Sequence, residues 1–364
     1  MFFNKICIIG TGLIGGSLAL AFRRKYIGEK IIGIDFPETI KKAVEHNIID
    51  EGYTPDEIEQ QVSDADLVIL ATNIQQIISD LKRIPPMLKK DAIVTDVGSS
   101  KETIIIIADQ EFPDYINFVG GHPMAGSEKN GIDAADPFLF ENCFYILTPQ
   151  KNTPPDVLNK LVTIMELIGA KVLLLNASVH DKIAAAVSHL PQMLAVKLVN
   201  LIADYNQDEP NYLKLAAGGF RDMTRIASSP FSMWEDIFKT NSENILNIID
   251  EFIVELNKLK DELSYTNLRC EFENAAKTRL SIPKDTKGFI HPNYDITVVV
   301  EDEPGVISKI ASTLFEKGIN IRDIEVLKVR LLEGGTMRLS FESEKNREAA
   351  IDLLTEKGFY CRKR

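Results

Sequence analysis

The sequence predicts three structural parts: an α/β domain built on a parallel sheet, an all-α second domain, and a small C-terminal βαββαβ unit. Three observations carry this prediction. Short apolar segments alternate with helical patterns in the first half of the chain. Long helical patterns dominate from about Asn176 to about Leu280, and short strand patterns return from Asp295.

The composition is typical of a large globular protein. The chain has 364 residues, of which 45% are hydrophobic. At roughly 100–200 residues per domain, two or three domains are expected. The formal net charge of −12 argues against nucleic-acid binding and against an anionic membrane surface as a partner. A few local arginines can still hold an anionic small molecule within an acidic protein.

The cysteines and the N-terminal segment indicate a cytoplasmic location. Cys7, Cys143, Cys270 and Cys361 are scattered, so neither a disulfide framework nor a metal site is expected. The apolar run that begins the chain superficially resembles a signal peptide. Its glycine spacing favours another interpretation, and no small-residue cleavage pattern follows it. No other run is expected to be long enough to span a bilayer.

The first domain is predicted over residues 1–175. It begins with KICIIGTGLIGGSLALAFRRK, a pattern typical of a buried strand, a glycine turn and an apolar helix. Further strands are predicted at IIGID, DLVILAT, AIVTDV, INFVGGHP, NCFYILTP and KVLLL. Because helical patterns lie between these strands, we expect a parallel sheet of the Rossmann type with helices on both faces.

The remaining chain divides into a helical domain, a linker and a small terminal domain. Residues 176–280 are predicted to be helical, and residues 281–294 to form a linker because they contain prolines and a glycine. Residues 295–364 follow the order of a ferredoxin-like unit.

The glycine turn predicts a dinucleotide site. Gly10, Gly12 and Gly15 form G-T-G-L-I-G between the first strand and the first helix. In that context they permit a tight turn, close approach of a pyrophosphate, and close packing of helix on strand. The alternative is a glycine-rich turn in an unrelated α/β protein. Asp35 ends the second strand about 20 residues further on, which is the spacing of a ribose-binding acid.

The cofactor is predicted to be NAD. No arginine follows Asp35, and its carboxylate would repel the 2′-phosphate of NADP. The alternative for Asp35 is a solvated acid at a strand end. The predicted cofactor site comprises Gly10, Gly12, Leu13, Ile14, Gly15, Asp35 and Thr72.

The stretch VGGHPMAGSE holds a candidate catalytic histidine. His122 stands between two glycines and Pro123, and we expect it to lie past the end of a strand, as Ser99 does past the preceding one. A histidine can accept a proton from an alcohol while hydride leaves the same carbon, and a serine can orient that hydroxyl. The alternatives are a histidine packed on its own turn and, for Ser99, a helix N-cap.

The helical domain is expected to complete the substrate site. A set of four residues has the spacing of one helix face, which either meets substrate or is a solvated stripe: Asp181, Ala185, Ser188 and Gln192. Arg221 and Arg225 are four residues apart, and such a pair can grip two carboxylates. Their alternative is an ion pair with a neighbouring acid such as Asp222. Trp234, the single tryptophan, either walls an apolar ring or fills the core.

These residues predict an NAD-dependent dehydrogenase of a hydroxylated dianion. Beyond that, several segments occur in order between Lys5 and about Leu280: GTGLIGGS, DVGSSK, GGHPMAGSE, VSHLP, GGFRDMTRIA and SPFSMW. Together they closely resemble the prephenate dehydrogenase family. The segment EDEPGVISKIASTLFEKGINI resembles an ACT domain, a small module that binds amino acids for feedback control.

The resemblance implies oxidation of prephenate by NAD with release of carbon dioxide, which gives 4-hydroxyphenylpyruvate, the precursor of tyrosine. It implies His122 and Ser99 as catalytic residues. It also implies a set of substrate-binding residues: Arg225, Arg221, Ser188, Gln192 and Trp234. The family often has a second histidine where this chain has Gln192, which can donate a hydrogen bond but cannot carry charge.

The ACT resemblance implies that L-tyrosine binds as an effector. Pro304 and Gly305 form a strand-to-helix turn whose backbone N–H groups can receive a carboxylate, and Asn320 could meet the amino group. The predicted effector site comprises Gly305, Val306, Asn320 and Ile321. The alternative is a module that binds no ligand. A homodimer is expected from the family, with the helix from Ile245 to Leu263 as the contact.

Three other functions remain open at this point. A β-hydroxyacid dehydrogenase of the same architecture would often use a lysine as its general base. An arogenate dehydrogenase would be favoured by an acid near the substrate amino group. A non-catalytic, NAD-binding amino-acid sensor would bind both small molecules without turnover.

Overall fold

The computed structural model describes residues 1–126, 130–262, 268–281, 294–301, 303–330 and 334–363. These residues form two compact units, Met1–Lys287 and Gly288–Arg364. The predicted linker, except for its first and last residues, lies outside the described residues. So do the last two residues of VGGHPMAGSE and Leu263, the end of the predicted dimer helix.

The larger unit is built on an eight-stranded sheet. Its strands are β1 Phe3–Ile9, β2 Gly28–Ile34, β3 Glu51–Tyr53, β4 Leu67–Leu70, β5 Ile93–Asp96, β6 Asn117–Pro123, β7 Phe144–Pro149 and β8 Lys171–Leu174. Their order is β3-β2-β1-β4-β5-β6-β7-β8, and neighbours are parallel except for the antiparallel pair β6 and β7. The Rossmann-type prediction is confirmed, although the sheet is not wholly parallel and β3 was not predicted.

Helices cover both faces of this sheet. They are α1 Leu13–Arg24, α2 Pro37–Glu45, α3 Ile58–Val62, α4 Ile74–Arg83, α5 Glu102–Glu111 and α6 Pro155–Leu167. Ile6 and Ile8 of β1 belong to one core cluster, whereas Cys7 and Ile9 belong to another. Successive side chains of a strand point to opposite faces, so a strand covered on both sides is apolar throughout.

The region after β8 is helical, as predicted. It consists of α7 Ala177–Ala184, a π-helical turn Ala185–His189, α8 Leu190–Asp208, α9 Gly218–Thr224, a 3-10 turn Arg225–Ser228, α10 Phe231–Glu262 and α11 Arg269–Ser281. Ile237 and Ile245 of α10 are buried in the core cluster that contains Cys7 and Ile9. The helical region therefore packs on one face of the sheet. The boundaries at residues 175 and 280 stay predictions.

Among the described residues, Ala177–Asp208 is long and apolar enough to cross a membrane by length and composition. By that test alone, the expectation that no run after the N-terminal segment could span a bilayer is not met. The stretch carries four buried polar residues that bind groups on other elements: His180, Asp181, His189 and Gln192. The contacts of Asp181 with Lys101 and of His180 with His122 join this stretch to the sheet domain of the larger unit.

The smaller unit has the predicted βαββαβ order. Its elements are β9 Tyr294–Val300, α12 Val306–Phe315, β10 Asp323–Arg330, β11 Gly334–Phe341, α13 Glu344–Glu356 and β12 Tyr360–Lys363. The strands form an antiparallel sheet in the order β10-β11-β9-β12. Leu314 and Leu354, one from each helix, are fully buried against sheet residues such as Val298 and Leu339.

Candidate active site

The glycine turn connects β1 to the N-terminus of α1. Gly10 has a φ of +92°, and a Cβ there would lie 2.6 Å from the carbonyl oxygen of Ala71. A Cβ on Gly15 would lie 1.9 Å from the carbonyl oxygen of Gly10. These two glycines are therefore required by the fold itself. Gly12 is the N-cap of α1, and a Cβ there would meet nothing within 4 Å. The space in front of the helix N-terminus is thus open to a phosphate group.

Asp35 follows β2 and is held beside this turn. Its Oδ2 accepts hydrogen bonds from the Thr11 backbone N–H at 2.7 Å and from Thr11 Oγ1 at 3.2 Å. Its Oδ1 accepts from the backbone N–H of Phe36 at 2.7 Å. A carboxylate fixed next to the phosphate-binding turn suits the ribose of a dinucleotide. The turn and Asp35 together therefore fit NAD.

A cleft of about 430 Å³ opens at the carboxyl ends of the strands. One wall is formed by the start of α1 and by the segments that follow β4 and β5, and it includes Leu13, Ile14, Thr72 and Ser99. His122 lies on the same cleft. Ligands bind at this edge in open α/β sheets. The structure thus brings three of the predicted cofactor residues, Leu13, Ile14 and Thr72, next to both predicted catalytic residues.

The opposite wall of the cleft comes from the helical region. Ser232, Met233 and Asp236 of α10 line it. Asp236 Oδ2 also accepts a hydrogen bond from the backbone N–H of Gln75 in the first turn of α4, at 3.2 Å. This contact ties α10 to the sheet domain at the edge of the cleft.

His122 lies within β6 rather than beyond its end, which corrects the expected position. The pairing of β6 with β5 stops at Val119, but β6 continues and pairs His122 with Ile146 of β7. A Cβ on Gly120 would lie 2.3 Å from Thr148 Oγ1, and one on Gly121 would lie 2.4 Å from the Asp96 carbonyl oxygen. The two glycines before His122 therefore admit the neighbouring strands to close contact.

A buried ion pair fixes the segment just before His122. The Lys101 ammonium group pairs with the Asp96 carboxylate and donates a hydrogen bond to the Gly121 carbonyl at 2.8 Å. Asp96 also accepts from the backbone N–H groups of Gly98 at 2.7 Å and Gly121 at 3.1 Å. Both charged side chains are fully buried. The Asp96–Lys101 pair thus joins the end of β5 to β6.

A hydrogen-bonded chain runs from His122 into the helical region. His122 Nδ1 lies 2.8 Å from His180 Nε2, and the two rings meet edge to face with centroids 5.0 Å apart. His180 Nδ1 lies 2.8 Å from Asp181 Oδ1. The pKa of His122 is well below its usual range because of burial, with further lowering by His180, Lys101 and His189. His122 is therefore a neutral histidine at neutral pH.

Ser99 is half-buried on the cleft, and the structure does not make it a helix N-cap. Helix α5 begins at Glu102, and the carboxylate of Asp181 supplies its cap. That carboxylate accepts from the backbone N–H of Lys101 at 2.7 Å and of Glu102 at 2.9 Å. Ser100 is buried, and its Oγ lies 2.7 Å from Thr240 Oγ1 of α10.

The predicted polar face of the helical region is largely buried. Asp181, Ala185 and Gln192 are at most 3% exposed, and Ser188 is half-buried. The π-helical turn adds a residue to the usual period, so the spacing of an uninterrupted α-helix does not hold across it. The interpretation as a solvated stripe is therefore wrong. Gln192 Nε2 donates to the Ile226 carbonyl at 3.0 Å and so holds the turn that follows α9.

The helical region also contains the predicted residues Arg221, Arg225 and Trp234. The two arginines are exposed, on α9 and on the 3-10 turn after it. Trp234 is half-buried against the second core cluster, the one that contains Cys7 and Ile9. Its ring meets the His189 ring edge to face, with centroids 5.9 Å apart. The described residues that line the cleft do not include the five predicted substrate residues, which are Arg221, Arg225, Trp234, Ser188 and Gln192. Their role in substrate binding stays a prediction.

Sequence reasoning missed several residues of the site. His180 and His189 were not singled out, nor was Asn241, whose Nδ2 donates to the Asp181 carbonyl at 2.9 Å and lies 3.3 Å from His189 Nδ1. Asn241 sits at a non-helical point within α10. A usable signal existed, because His189 lies in the VSHLP segment and His180 directly precedes Asp181.

Comparisons with known proteins decide the family. Residues 18–174 match the family model described as "Prephenate dehydrogenase, nucleotide-binding domain", residues 176–275 match "Prephenate dehydrogenase, dimerization domain", and residues 294–356 match "ACT domain". A prephenate dehydrogenase of Bacillus subtilis is 38% identical over 98% of this chain and 97% of its own length. The chain belongs to the prephenate dehydrogenase family.

Solved structures of this family agree. A prephenate dehydrogenase from A. aeolicus, in complex with hydroxyphenyl propionate and NAD+, has a TM-score of 0.72 and 35% identity over 77% of this chain and 98% of that one. An arogenate dehydrogenase of Synechocystis has a TM-score of 0.66 and 33% identity over 76% and 98%. This member of the prephenate dehydrogenase family is an NAD-dependent oxidoreductase, with a Rossmann-type domain, a helical dimerization domain and an ACT domain.

Two features of the ACT domain of this protein concern the predicted effector residues. Gly305 has a φ of +94° and is the N-cap of α12, and a Cβ there would meet nothing within 4 Å. A depression of about 330 Å³ is lined by Phe315, Asn320 and Ile321 among others. It does not include Gly305 or Val306.

Proposed function

We propose that this protein oxidises prephenate with NAD and releases carbon dioxide, forming 4-hydroxyphenylpyruvate. The observation that carries the proposal is the place of His122. A neutral histidine lies on the cleft that also contains the start of α1 and Ser99. That is the arrangement an alcohol oxidation needs, because a base must take the hydroxyl proton where hydride leaves.

In this proposal His122 holds and returns one proton. Its Nδ1 is engaged with His180, so Nε2 is the ring nitrogen that serves the substrate. Nε2 accepts the proton of the C4 hydroxyl, and Ser99 shares a hydrogen bond with the same oxygen. The glycine turn and Asp35 would hold NAD, which would supply the acceptor for the hydride that leaves C4. Loss of the ring carboxylate as carbon dioxide makes the ring aromatic, and the proton on His122 returns to the phenolate oxygen. No net proton is released, and aromatisation makes the reaction effectively irreversible.

Arg225 is proposed to bind the side-chain carboxylate of the substrate, with Arg221 as its basic partner. Guanidinium groups bind carboxylates in a bidentate manner, and the two residues are one turn apart. The hydrogen bond from Gln192 to Ile226 supports the proposal because it anchors the turn that carries Arg225 to α8. Substitution of Arg225 by Lys should raise KM more than it lowers kcat.

Arogenate is the second candidate substrate. It carries an amino group where prephenate has a keto oxygen. Asp236 lines the cleft, and an acid there could bind that amino group. The similarity to the arogenate dehydrogenase of Synechocystis favours the same candidate. The name of the Bacillus subtilis relative, which spans nearly the whole chain, favours prephenate.

We further propose that L-tyrosine, the end product of this reaction sequence, inhibits the enzyme through the ACT domain. The match of residues 294–356 to that domain supports this regulation. A homodimer is supported by the match to a dimerization domain and by exposed apolar residues on α8 and α10, among them Leu201, Leu246 and Ile253. The cytoplasmic location expected from the cysteines stays a prediction.

One experiment tests substrate and regulation together. Formation of NADH is followed by its absorbance with prephenate or arogenate as substrate, each with and without tyrosine. Reduction with prephenate that tyrosine suppresses supports the whole proposal. Reduction with arogenate alone moves the substrate, and an Asp236→Asn variant that loses this activity would identify the residue responsible. No reduction with either substrate, in protein that binds NAD, contradicts the proposed function.

A further inference from the structure

We propose that His180 and Asp181 fix the tautomer of His122, so that His122 presents an unprotonated Nε2 to the cleft. Both are positioning residues, since they act through His122. The chemical consequence of this inference rests on the proposed function, whereas the tautomer itself does not.

Asp181 can only accept hydrogen bonds in its place. Its Oδ1 accepts from the Lys101 backbone N–H at 2.7 Å, and its Oδ2 accepts from the Glu102 backbone N–H at 2.9 Å. Both backbone groups are obligatory donors. The carboxylate also lies at the N-terminus of α5, where the helix dipole favours negative charge. It is fully buried, so an ionised group here depends on these donors.

The tautomer of His180 follows from that acceptor. Its Nδ1 lies 2.8 Å from Asp181 Oδ1, so Nδ1 carries the hydrogen. With a single ring hydrogen on Nδ1, the lone pair lies on Nε2, and Nε2 faces His122 Nδ1 at 2.8 Å. His180 is only 1% exposed and has no room to turn its ring toward water.

The tautomer of His122 follows in turn. A lone pair on His180 Nε2 requires a hydrogen on His122 Nδ1, and a neutral His122 with that hydrogen has its lone pair on Nε2. The opposite tautomer would set two lone pairs against each other at 2.8 Å. The hydrogen-bonded series Asp181, His180 and His122 therefore presents an unprotonated nitrogen to the cleft rather than an N–H donor. A buried carboxylate that sets the tautomer of a catalytic imidazole is a known physical device, and here a second imidazole transmits it.

Neighbouring groups constrain this hydrogen-bonded series of side chains. The Lys101 ammonium is engaged by Asp96 and by the Gly121 carbonyl. After burial and His180, it is a further cause of the lowered pKa of His122. His189, the third histidine of the cluster, also has a pKa below its usual range, about 4, because of burial. On α10, Asn241 donates to the Asp181 carbonyl and so fixes the end of the chain.

Nitrogen-15 NMR of the free, full-length protein with labelled histidines tests the tautomer directly. The five histidines can be assigned by single substitutions, with the exposed His46 as the control position. Protonated and unprotonated ring nitrogens give well-separated shifts. A hydrogen on Nδ1 of His122 at neutral pH is the expected result. A hydrogen on Nε2, or an equal mixture of tautomers, overturns the inference.

Two matched variants test the consequence. His180→Phe keeps a ring but removes the acceptor, whereas His180→Gln keeps an acceptor oxygen. We expect His180→Phe to lower kcat at least about tenfold, but by less than the loss of about 10²–10⁴-fold for removing the general base itself. KM should change little, and His180→Gln should recover part of kcat. Equal kcat in His180→Phe and wild type overturns the role of His180. If wild type shows the expected tautomer yet oxidises neither prephenate nor arogenate, the proposed function fails and the tautomer stands.

Discussion

The Asp96–Lys101 pair gives the sharpest stability prediction. Lys101→Met keeps an unbranched side chain of similar length but leaves the Asp96 carboxylate buried without its counter-ion. Both side chains are 0% exposed. Removal of one partner of a buried pair costs about 3–5 kcal/mol. The backbone N–H groups of Gly98 and Gly121 still bind Asp96, so we expect the lower end, about 3 kcal/mol.

Unfolding in urea measures this loss, with the fluorescence of the single tryptophan as reporter. Trp234 packs against the second core cluster of the larger unit, so its signal follows that unit. With a slope of about 3 kcal/mol per M, the midpoint should fall by about 1 M. The double variant Asp96→Asn, Lys101→Met should recover part of the stability because no charge stays buried. A midpoint for Lys101→Met within about 0.2 M of wild type would show that the buried pair does not stabilise the fold.

Three further predictions concern the cofactor turn and pH. Gly12→Ala places a Cβ in the open space before α1, so it should weaken NAD binding at least about tenfold and leave unfolding unchanged. Gly15→Ala should instead lower the Tm, because its Cβ would lie 1.9 Å from a backbone oxygen. Calorimetry of NAD binding and thermal unfolding distinguish the two effects. Asp35→Ser should raise the Kd for NAD and lower that for NADP, with the exposed Glu38→Ser on α2 as the control; an unchanged ratio would remove Asp35 from the site. His189 has a folded pKa of about 4, below its unfolded value, so the unfolded state binds more protons between these values and stability should fall as pH drops from about 6.5 to about 4. His189→Gln should flatten that part of the stability profile, and a profile identical to wild type would contradict this assignment.

Local patterns were sufficient to predict most of the fold. The β1–turn–α1 unit follows from a buried apolar run and three glycines whose spacing has a steric cause, now visible at Gly10 and Gly15. The strand β3 was missed because Glu51–Tyr53 is three residues long and contains no β-branched residue. The antiparallel pairing of β6 with β7 was missed because an apolar strand carries no sign of its partner's direction.

The site was only partly predictable, because its key contacts join distant residues. His122 could be singled out from its glycines and proline, but His180 is 58 residues away on a helix. Asp181 has the sequence context of a polar helix face. Only the packed structure shows that its carboxylate caps α5 and orients His180. The π-helical turn at Ala185–His189 changed the face that simple periodicity predicts.

The role proposed for His122 is that of the base in an NAD-dependent oxidation of prephenate. The most direct test compares NADH formation from prephenate by wild type and His122→Asn, with the Kd for NAD measured for both. We expect rapid formation of NADH and 4-hydroxyphenylpyruvate by wild type. For the variant we expect turnover lowered about 10²–10⁴-fold at near-normal NAD affinity. Equal turnover by the two proteins would remove His122 from the reaction.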